Sequence, residues 1–339
     1  MANGATYRQM RAEDEDAVAA LWLATWADAD PTLERRTLHS DPGYLSRTYI
    51  AAGPDGQVLS TAHYWVREIC DAAGTPRSVG CVSHVSTHYT ARRQGHARKV
   101  VAMLQDAMAA EGCEYALLFS SEMGVPLYES LGYRMMGSPY RRGFVQRGRP
   151  LYTGRYTVRE GREPDWDAVA RIYEGYNTGR PLAFVRDEVY WSEYIAPKWS
   201  YVLDRLGGRV FTAHEGADGE PVAYALAYVS TPEYAREHFG LDQVFTICEM
   251  GALPGHDAAI PALVDSAAAL TLPGEVGGRV YAPRDDAPSA AIESLFGATL
   301  NEMDDRRMMV RPLADSVTYT TLEAMFTSPA SVFWLLDEF

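Results

Sequence analysis

The chain has 339 residues, a formal net charge of −14, 47% hydrophobic and 11% aromatic residues, which is material for more than one core. A balance this negative argues against nucleic acid or an anionic membrane as the main partner, because either requires a broad cationic surface. A small molecule is the expected partner.

The first residues, "MANGATYRQMRAEDED", have neither the apolar centre nor the cleavage site of a secretion signal. No later run approaches the roughly 18 apolar residues of a membrane span, so a cytoplasmic protein is expected. "TYRQM" reads as a strand, and "DEDAVAALWLATWADA" as a helix with Val18, Leu21, Trp22 and Trp26 at helical spacing. "YLSRTYIAA" and "GQVLSTAHYWVREI" form a hairpin around the turn "GPDG". A third strand, "SVGCVSHVSTHY", runs into "TARRQGHARKVV", and "HARKVVAMLQDAMAAEG" is a helix ended by Gly112. "EYALLFS" is a buried strand, "MGVPLYESLG" a short helix, and "YRMMGSP" and "YRRGFVQR" two further strands. The alternation is α/β. Cys70, Cys81, Cys113 and Cys248 stand singly, without the spacing of a zinc site or a disulfide framework.

After a turn-rich linker at 148–155 the order restarts. "YTVRE" answers "TYRQM", "DWDAVARIYEGYN" answers the first helix, and "GGRVFTAHEG" with "GEPVAYALAYVS" answers the hairpin. "FTICEMGALPGHDAAIPALVDSAAAL" then answers the strand, turn and helix. A duplicated unit is the economical reading. The expected organisation is a catalytic lobe at 1–147, a degenerate copy at 156–314, and a tail at 315–339 whose apolar "SVFWLLDEF" docks on the body. Simple packing over the lobe junction is one role for that tail. The other is that its acidic end, with the Phe339 carboxylate, faces the cleft and attracts a cationic amine.

The basic stretch carries the chemistry. Arg92, Arg93, Gln94, Gly95, His96 and Ala97 give R-x-x-G-x-A between a strand and a helix. A helix start offers unpaired N–H groups and partial positive charge, and Gly95 allows close backbone approach, so a pyrophosphate can seat there. An ordinary surface helix start is the alternative. With the strand before it, the long helix after it and "LYESLGY" downstream, the chain resembles the GCN5-related N-acetyltransferase (GNAT) superfamily. "SSEMGVPLYESLGY" is further similar to a segment of fungal lysine N6-acetyltransferases.

The resemblance implies tandem lobes, each a mixed, mostly antiparallel sheet flanked by helices, with acetyl-CoA as cosubstrate and its pyrophosphate on residues 92–97. It implies that Tyr128 protonates the departing thiolate, and that Val85 and Thr87 supply backbone contacts to the thioester arm. A core tyrosine is the structural alternative for Tyr128. The substrate ammonium must lose a proton before attack, for which His84, His88 and Glu122 are candidates; Glu122 also matches an acidic residue that could pair with the ammonium. A structural or solvated role stands beside each. The expected acceptor is a small polar amine, lysine or a lysine-like amino acid first. An antibiotic, a biosynthetic intermediate or an N-terminal amine, or a non-catalytic acetyl-CoA sensor, are the alternatives. In the second lobe Ala252, Asp257 and Ile292 fall where Arg92, Ala97 and Tyr128 stand, so that copy is expected to bind no cofactor.

Overall fold

The computed structural model describes residues 4–26, 31–137, 140–144, 154–216, 219–270, 276–283, 290, 293, 301–302 and 308–339. The first half holds strands β1 (Thr6–Gln9), β2 (Thr48–Ala52), β3 (Val58–Cys70), β4 (Pro76–Thr87), β5 (Tyr115–Phe119), β6 (Arg134–Met135) and β7 (Tyr140–Phe144). The second holds β8 (Tyr156–Gly161), β9 (Arg209–Glu215), β10 (Pro221–Val229), β11 (Gln243–Ala252), β12 (Val276–Pro283), β13 (Asn301–Glu302) and β14 (Met308–Pro312). They form two seven-stranded sheets of the same plan, β1-β2-β3-β4-β5-β14-β6 and β8-β9-β10-β11-β12-β7-β13. Each sheet has one parallel pair, β4 with β5 and β11 with β12, at corresponding places.

The penultimate strand of each sheet comes from the other half. β14 pairs antiparallel with β5 and β6, and β7 pairs antiparallel with β12 and β13. The expected boundary at 148–155 therefore does not separate two self-contained sheets: "YRRGF", read as a strand of the first lobe, belongs to the second sheet. Residues 148–153 of that linker lie outside the described residues.

The helices follow their apolar spacing. In the first half α1 (Glu15–Thr25) buries Val18, Leu21 and Trp22, followed by α2 (Pro31–His39) and α3 (Tyr44–Arg47). The 15-residue α4 (His96–Ala110) buries Val100, Val101, Leu104 and Met108 on one face, and α5 (Val125–Glu129) follows β5. α4 sits so close to β4 that a methyl group on Gly80 would collide with the Met108 side chain. In the second half come α6 (Trp166–Asn177), α7 (Glu188–Tyr190), α8 (Ala196–Leu206), α9 (Pro232–Phe239), α10 (Ile260–Ala268) and α11 (Tyr319–Thr327).

One apolar core runs through both lobes. It joins Trp65, Ile69, Cys81 and Leu117 of the first sheet to Leu226 and Ile247 of the second, to Ile172 of α6 and Leu263 of α10, and to Phe333, Trp334 and Leu336. A backbone stitch reinforces it, with Cys70 N–H donating to Ala183 O, and Leu182 N–H donating to Cys70 O, each at 2.9 Å. The tail is docked: Trp334 Nε1 donates to Asn177 Oδ1 at 3.0 Å, and the Phe333 ring meets Phe119 edge-on at 5.2 Å. None of the four cysteines is in a disulfide, and all are buried. No described helix is long and apolar enough to cross a membrane.

Candidate active site

β4 and β5 run parallel only from Val79 to Val82 opposite Tyr115 to Leu118. Beyond that point β4 bulges away. Its register on β3 slips between Ser83, opposite His63, and Ser86, opposite Thr61, which leaves His84 and Val85 in the bulge, and His84 has φ 54°. A bulge of this kind bends the strand and ends its pairing on the other side. The gap opens into a cleft of about 1170 Å³.

Past the bulge the chain turns at Tyr89–Ala91, passes Arg93 at φ 64°, and enters α4 through Gly95 at φ 84°. Nothing lies within 4 Å of where a Cβ on Gly95 would stand, so glycine is needed for conformation and approach rather than to avoid a clash. The first amides of α4 have no acceptor within the helix and carry its positive end. Arg92, Arg93 and Arg98 line the cleft beside them. His96, 3% exposed, hydrogen-bonds Tyr7 Oη through Nδ1 at 2.8 Å. Burial, then the Lys99 charge, depresses its basicity, so the ring enters the turn as a neutral support. Val85, Thr87, Gly95 and Ala97 also line the cleft, whereas Gln94 bonds back to Thr90 O at 2.9 Å.

Tyr128 on α5 lines the same cleft with its ring 5.7 Å from that of Tyr133. Burial alone raises its phenol to about 12. It therefore keeps its proton at any physiological pH and can give it only to a stronger base formed beside it. His84 lines the cleft as well, hydrogen-bonded to Ser83 Oγ, its ring 4.5 Å from Trp22 and 5.8 Å from Trp26. Cys81 offers no alternative nucleophile, since it is fully buried and burial pushes its thiol up.

Two sequence candidates stand elsewhere. Residues 121–124 form a turn closed by Gly124 N–H to Ser121 O at 2.9 Å, and Glu122 within it is exposed while its neighbours Ser121 and Met123 line the cleft. His88 caps the turn after β4, its Nδ1 bonded to Thr90 Oγ1 at 2.7 Å, and does not line the cleft either.

The tail, with a cleft-facing end at Phe339 as one of its two expected roles, is all that the sequence suggested of the far wall. Trp65 of β3, Tyr194 and Lys198 from the second half, and Glu338 and Phe339 from the tail all line it. Tyr194 Oη donates to Glu338 O at 2.8 Å, Lys198 Nζ donates to Leu336 O at 3.3 Å, and Phe339 packs on Phe119 at 5.4 Å.

The second lobe keeps the frame without the charges. Gly255 has φ 83°, and His256 Nδ1 meets Tyr156 Oη at 3.3 Å, the counterpart of the pair His96 and Tyr7. Ala252 ends β11 and Asp257 opens the turn Asp257–Ala259, so an acidic residue stands at the start of that turn. Ile292 lies outside the described residues.

A splayed parallel pair, a glycine-led helix start with clustered arginines, and a buried phenol over one cleft define an acyl-transferring protein of the acetyltransferase kind. Residues 6–136 match the family model described as an acetyltransferase (GNAT) domain. The likeness to that family is thus one of residues 6–136. A search of curated protein sequences finds no match. Among solved structures it is similar to a conserved protein from Enterococcus faecalis described as a probable N-acyltransferase, at 13% identity over 92% of this chain and 73% of that one, TM-score 0.68. It is also similar to a GCN5-related N-acetyltransferase from Anabaena variabilis, at 13% identity over 91% and 73%, TM-score 0.67. A third is Eis1 from Mycobacterium abscessus, at 18% identity over 91% and 73%, TM-score 0.63. At these identities the likeness is one of fold.

Proposed function

We propose that the cleft moves an acetyl group from acetyl-CoA to the amine of a small acceptor by direct attack, with no acyl-enzyme. One observation carries this reading: Tyr128 and the arginine-rich start of α4 line a single cleft at the point where β4 leaves β5. The pyrophosphate fits the amides at Gly95, His96 and Ala97 with Arg92 and Arg93 beside them. The backbone of Val85 and Thr87 fits the thioester arm.

The neutral amine attacks the thioester carbonyl, the new N–C bond forms, the C–S bond breaks, and the nitrogen sheds its surplus proton, which restores the Tyr128 phenol through water. Tyr128 gives its proton to the departing sulfur, which stabilises charge in a dry site where a thiolate is poorly solvated. His84, in the bulge, receives the proton that the ammonium loses, directly or through water. Lysine-like amines are the first acceptors that the sequence suggests; Glu122 is exposed off the cleft, and Glu338 of the tail is the acidic side chain that lines it. The second lobe, with Asp257 and Ala252 at the corresponding turn, serves as a wall of the cleft and holds no cosubstrate.

The test combines calorimetry with acetyl-CoA and thiol release over an amine panel. Tyr128→Phe is expected to lower kcat by about 10²- to 10⁴-fold with unchanged affinity for acetyl-CoA. Absence of heat with acetyl-CoA removes the reading. Binding without turnover on any amine replaces the enzyme by a sensor.

A further inference from the structure

Lysine is rare in this chain, and one lysine stands in the cleft. Of the 31 lysine and arginine residues, only Lys99 and Lys198 are lysines. Among the described residues, the lysine and arginine side chains that line the cleft are Arg92, Arg93, Arg98 and Lys198. A guanidinium keeps its proton at any physiological pH and has no lone pair with which to attack a thioester, whereas a lysine amine that has shed its proton has one. Lys198 is therefore the side-chain amine with which the chain itself meets a thioester seated in this cleft. Lys99 is exposed on α4, its Nζ 4.6 Å from the Tyr7 ring, and does not line the cleft.

α8 brings Lys198 to the wall half-buried. Its Nζ donates to Leu336 O at 3.3 Å and to Glu338 O, and lies 5.3 Å from the Tyr194 ring. The next residue of the tail, Phe339, packs on Phe119, the last residue of β5. Leu118, just before it, pairs with Val82 at the last step before β4 splays away. The amine is thus tied to the tail one residue from the place where the tail meets the splay, and its flexible stem lets it swing toward that gap. Grip alone does not call for an amine here. Arg186 holds the neighbouring Asp337 with a planar fork that offers more donors than an ammonium.

We infer that Lys198 is a self-acetylation site, taking the acetyl group of acetyl-CoA seated in the cleft of the same chain. This inference rests on the reading of the cleft as an acetyl-transfer site. The Lys198 ammonium gives one proton to His84 or to water, and the neutral Nζ attacks the thioester carbonyl carbon. The N–C bond forms, the C–S bond breaks with its electron pair on sulfur, and the sulfur takes the Tyr128 proton. The surplus proton on Nζ restores the phenol through water, so the products are an acetamide on Lys198 and free CoA. That acetamide is uncharged and keeps a single N–H, so it cannot hold both Leu336 O and Glu338 O. The modification therefore unlatches Glu338 and Phe339 from the cleft wall. An acceptor amine competes for the same thioester, so the step runs when acceptor is scarce.

The experiment incubates the full chain with acetyl-CoA alone and follows the acetyl group by mass spectrometry of the intact chain and its peptides. The expected result is one acetyl group per chain, on Lys198, at a rate independent of protein concentration, while the more exposed Lys99 stays unmodified. Tyr128→Phe is expected to slow the step by about 10²- to 10⁴-fold with acetyl-CoA still bound. Lys198→Gln, an uncharged amide like the acetylated side chain, should lose Phe339 to carboxypeptidase faster than the wild type. Acetylation of Lys99 to the same extent, or a rate that Tyr128→Phe leaves alone, assigns the modification to thioester in solution and overturns the inference. Equal trimming of Lys198→Gln and the wild type overturns the latch. An unmodified Lys198 overturns the inference outright: acetylation of added ethylamine in the same assay then leaves the transfer reading standing, and its absence removes both.

Discussion

Arg186 grips Asp337 with two parallel hydrogen bonds, Nε to Oδ1 at 2.9 Å and Nη2 to Oδ2 at 2.8 Å, and neither side chain is more than 1% exposed. The same guanidinium holds Glu249 through Nη1 at 3.0 Å and lies 3.8 Å from the Tyr173 ring. Tyr224 Oη donates to Glu249 at 2.6 Å and Tyr190 Oη donates to Asp337 at 3.2 Å, so each carboxylate has further donors. One cation thus ties β11 to the residue that immediately precedes the cleft-lining Glu338 and Phe339. Arg186→Met leaves two carboxylates buried without their counter-charge, and the expected loss is about 3–5 kcal/mol in denaturant unfolding. Asp337→Asn keeps the shape and releases the tail specifically, so KM for the acceptor should rise while the affinity for acetyl-CoA holds. Glu249→Gln, in the same network but away from the tail, should lower stability and spare the acceptor KM. Identical kinetics in the two variants would mean that the clamp only holds the fold.

Gly95 and Gly80 separate binding from stability at one helix. A side chain at Gly95 meets no neighbour within 4 Å but must hold φ 84°, which costs an L-residue about 1–2 kcal/mol. Gly95→Ala is therefore expected to distort the amide array more than the fold, weakening acetyl-CoA by about tenfold in calorimetry. Gly80→Ala drives a methyl group into Met108, and overpacking of this kind costs about 1–3 kcal/mol. It should lower the melting temperature and leave the affinity of the folded protein unchanged. Wild-type affinity in Gly95→Ala would count against the pyrophosphate seat.

Much of this fold was legible locally. The hairpin of β2 and β3, the glycine stop after α4 and the repeat were written in periodicity and turn residues, because those signals depend on neighbours in the chain. The polar "PTLERRTLH" of α2 gave no apolar stripe to read, and the segment that holds α7 and α8 went without assignment. The exchange of β7 and β14 was illegible for a different reason: either strand suits either sheet by its pattern, and long-range pairing decides. The site divides the same way. The turn at 92–97 and Tyr128 sit in contiguous motifs and the tail with Phe339 was one expectation for the cleft, whereas Trp65, Tyr194 and Lys198 reach it only through the tertiary fold.

The exchange itself predicts how the chain can be cut. Without β14, the strands β5 and β6 lose the partner between them, and the buried Met308, Met309 and Val310 are lost from the packing around that sheet. A fragment of residues 1–147 keeps every residue of the proposed pyrophosphate turn and Tyr128, yet it exposes an unpaired strand edge. It is expected to aggregate or remain unfolded in gel filtration and circular dichroism, and to recover acetyl-CoA binding when co-expressed with residues 148–339. A cooperatively folding 1–147 fragment that binds acetyl-CoA alone would show that β14 is dispensable.

The fully buried His63 predicts a pH limit on stability. Its Nδ1 bonds Thr48 Oγ1 at 2.9 Å, Nε2 stands 3.7 Å from Asp41 Oδ2, and the His84 ring lies 6.4 Å away. Burial, followed by the charges of His84, Arg67 and Arg47, holds its imidazole well below the ordinary value. Below about pH 6.5 the unfolded chain takes up a proton that native His63 refuses, so the unfolded state binds more protons and stability falls as the pH falls. This contribution is complete above that pH and is lost toward the native value at up to about 1.4 kcal/mol per pH unit. Asp41 works in the opposite sense in more acid solution, because burial raises its carboxyl and the native state then takes up the proton first. His63→Gln keeps a hydrogen-bonding side chain and cannot titrate, so its unfolding free energy should decline less between pH 6.5 and 5 than that of the wild type. Parallel declines in urea titrations of the two proteins would assign the acid sensitivity to other groups.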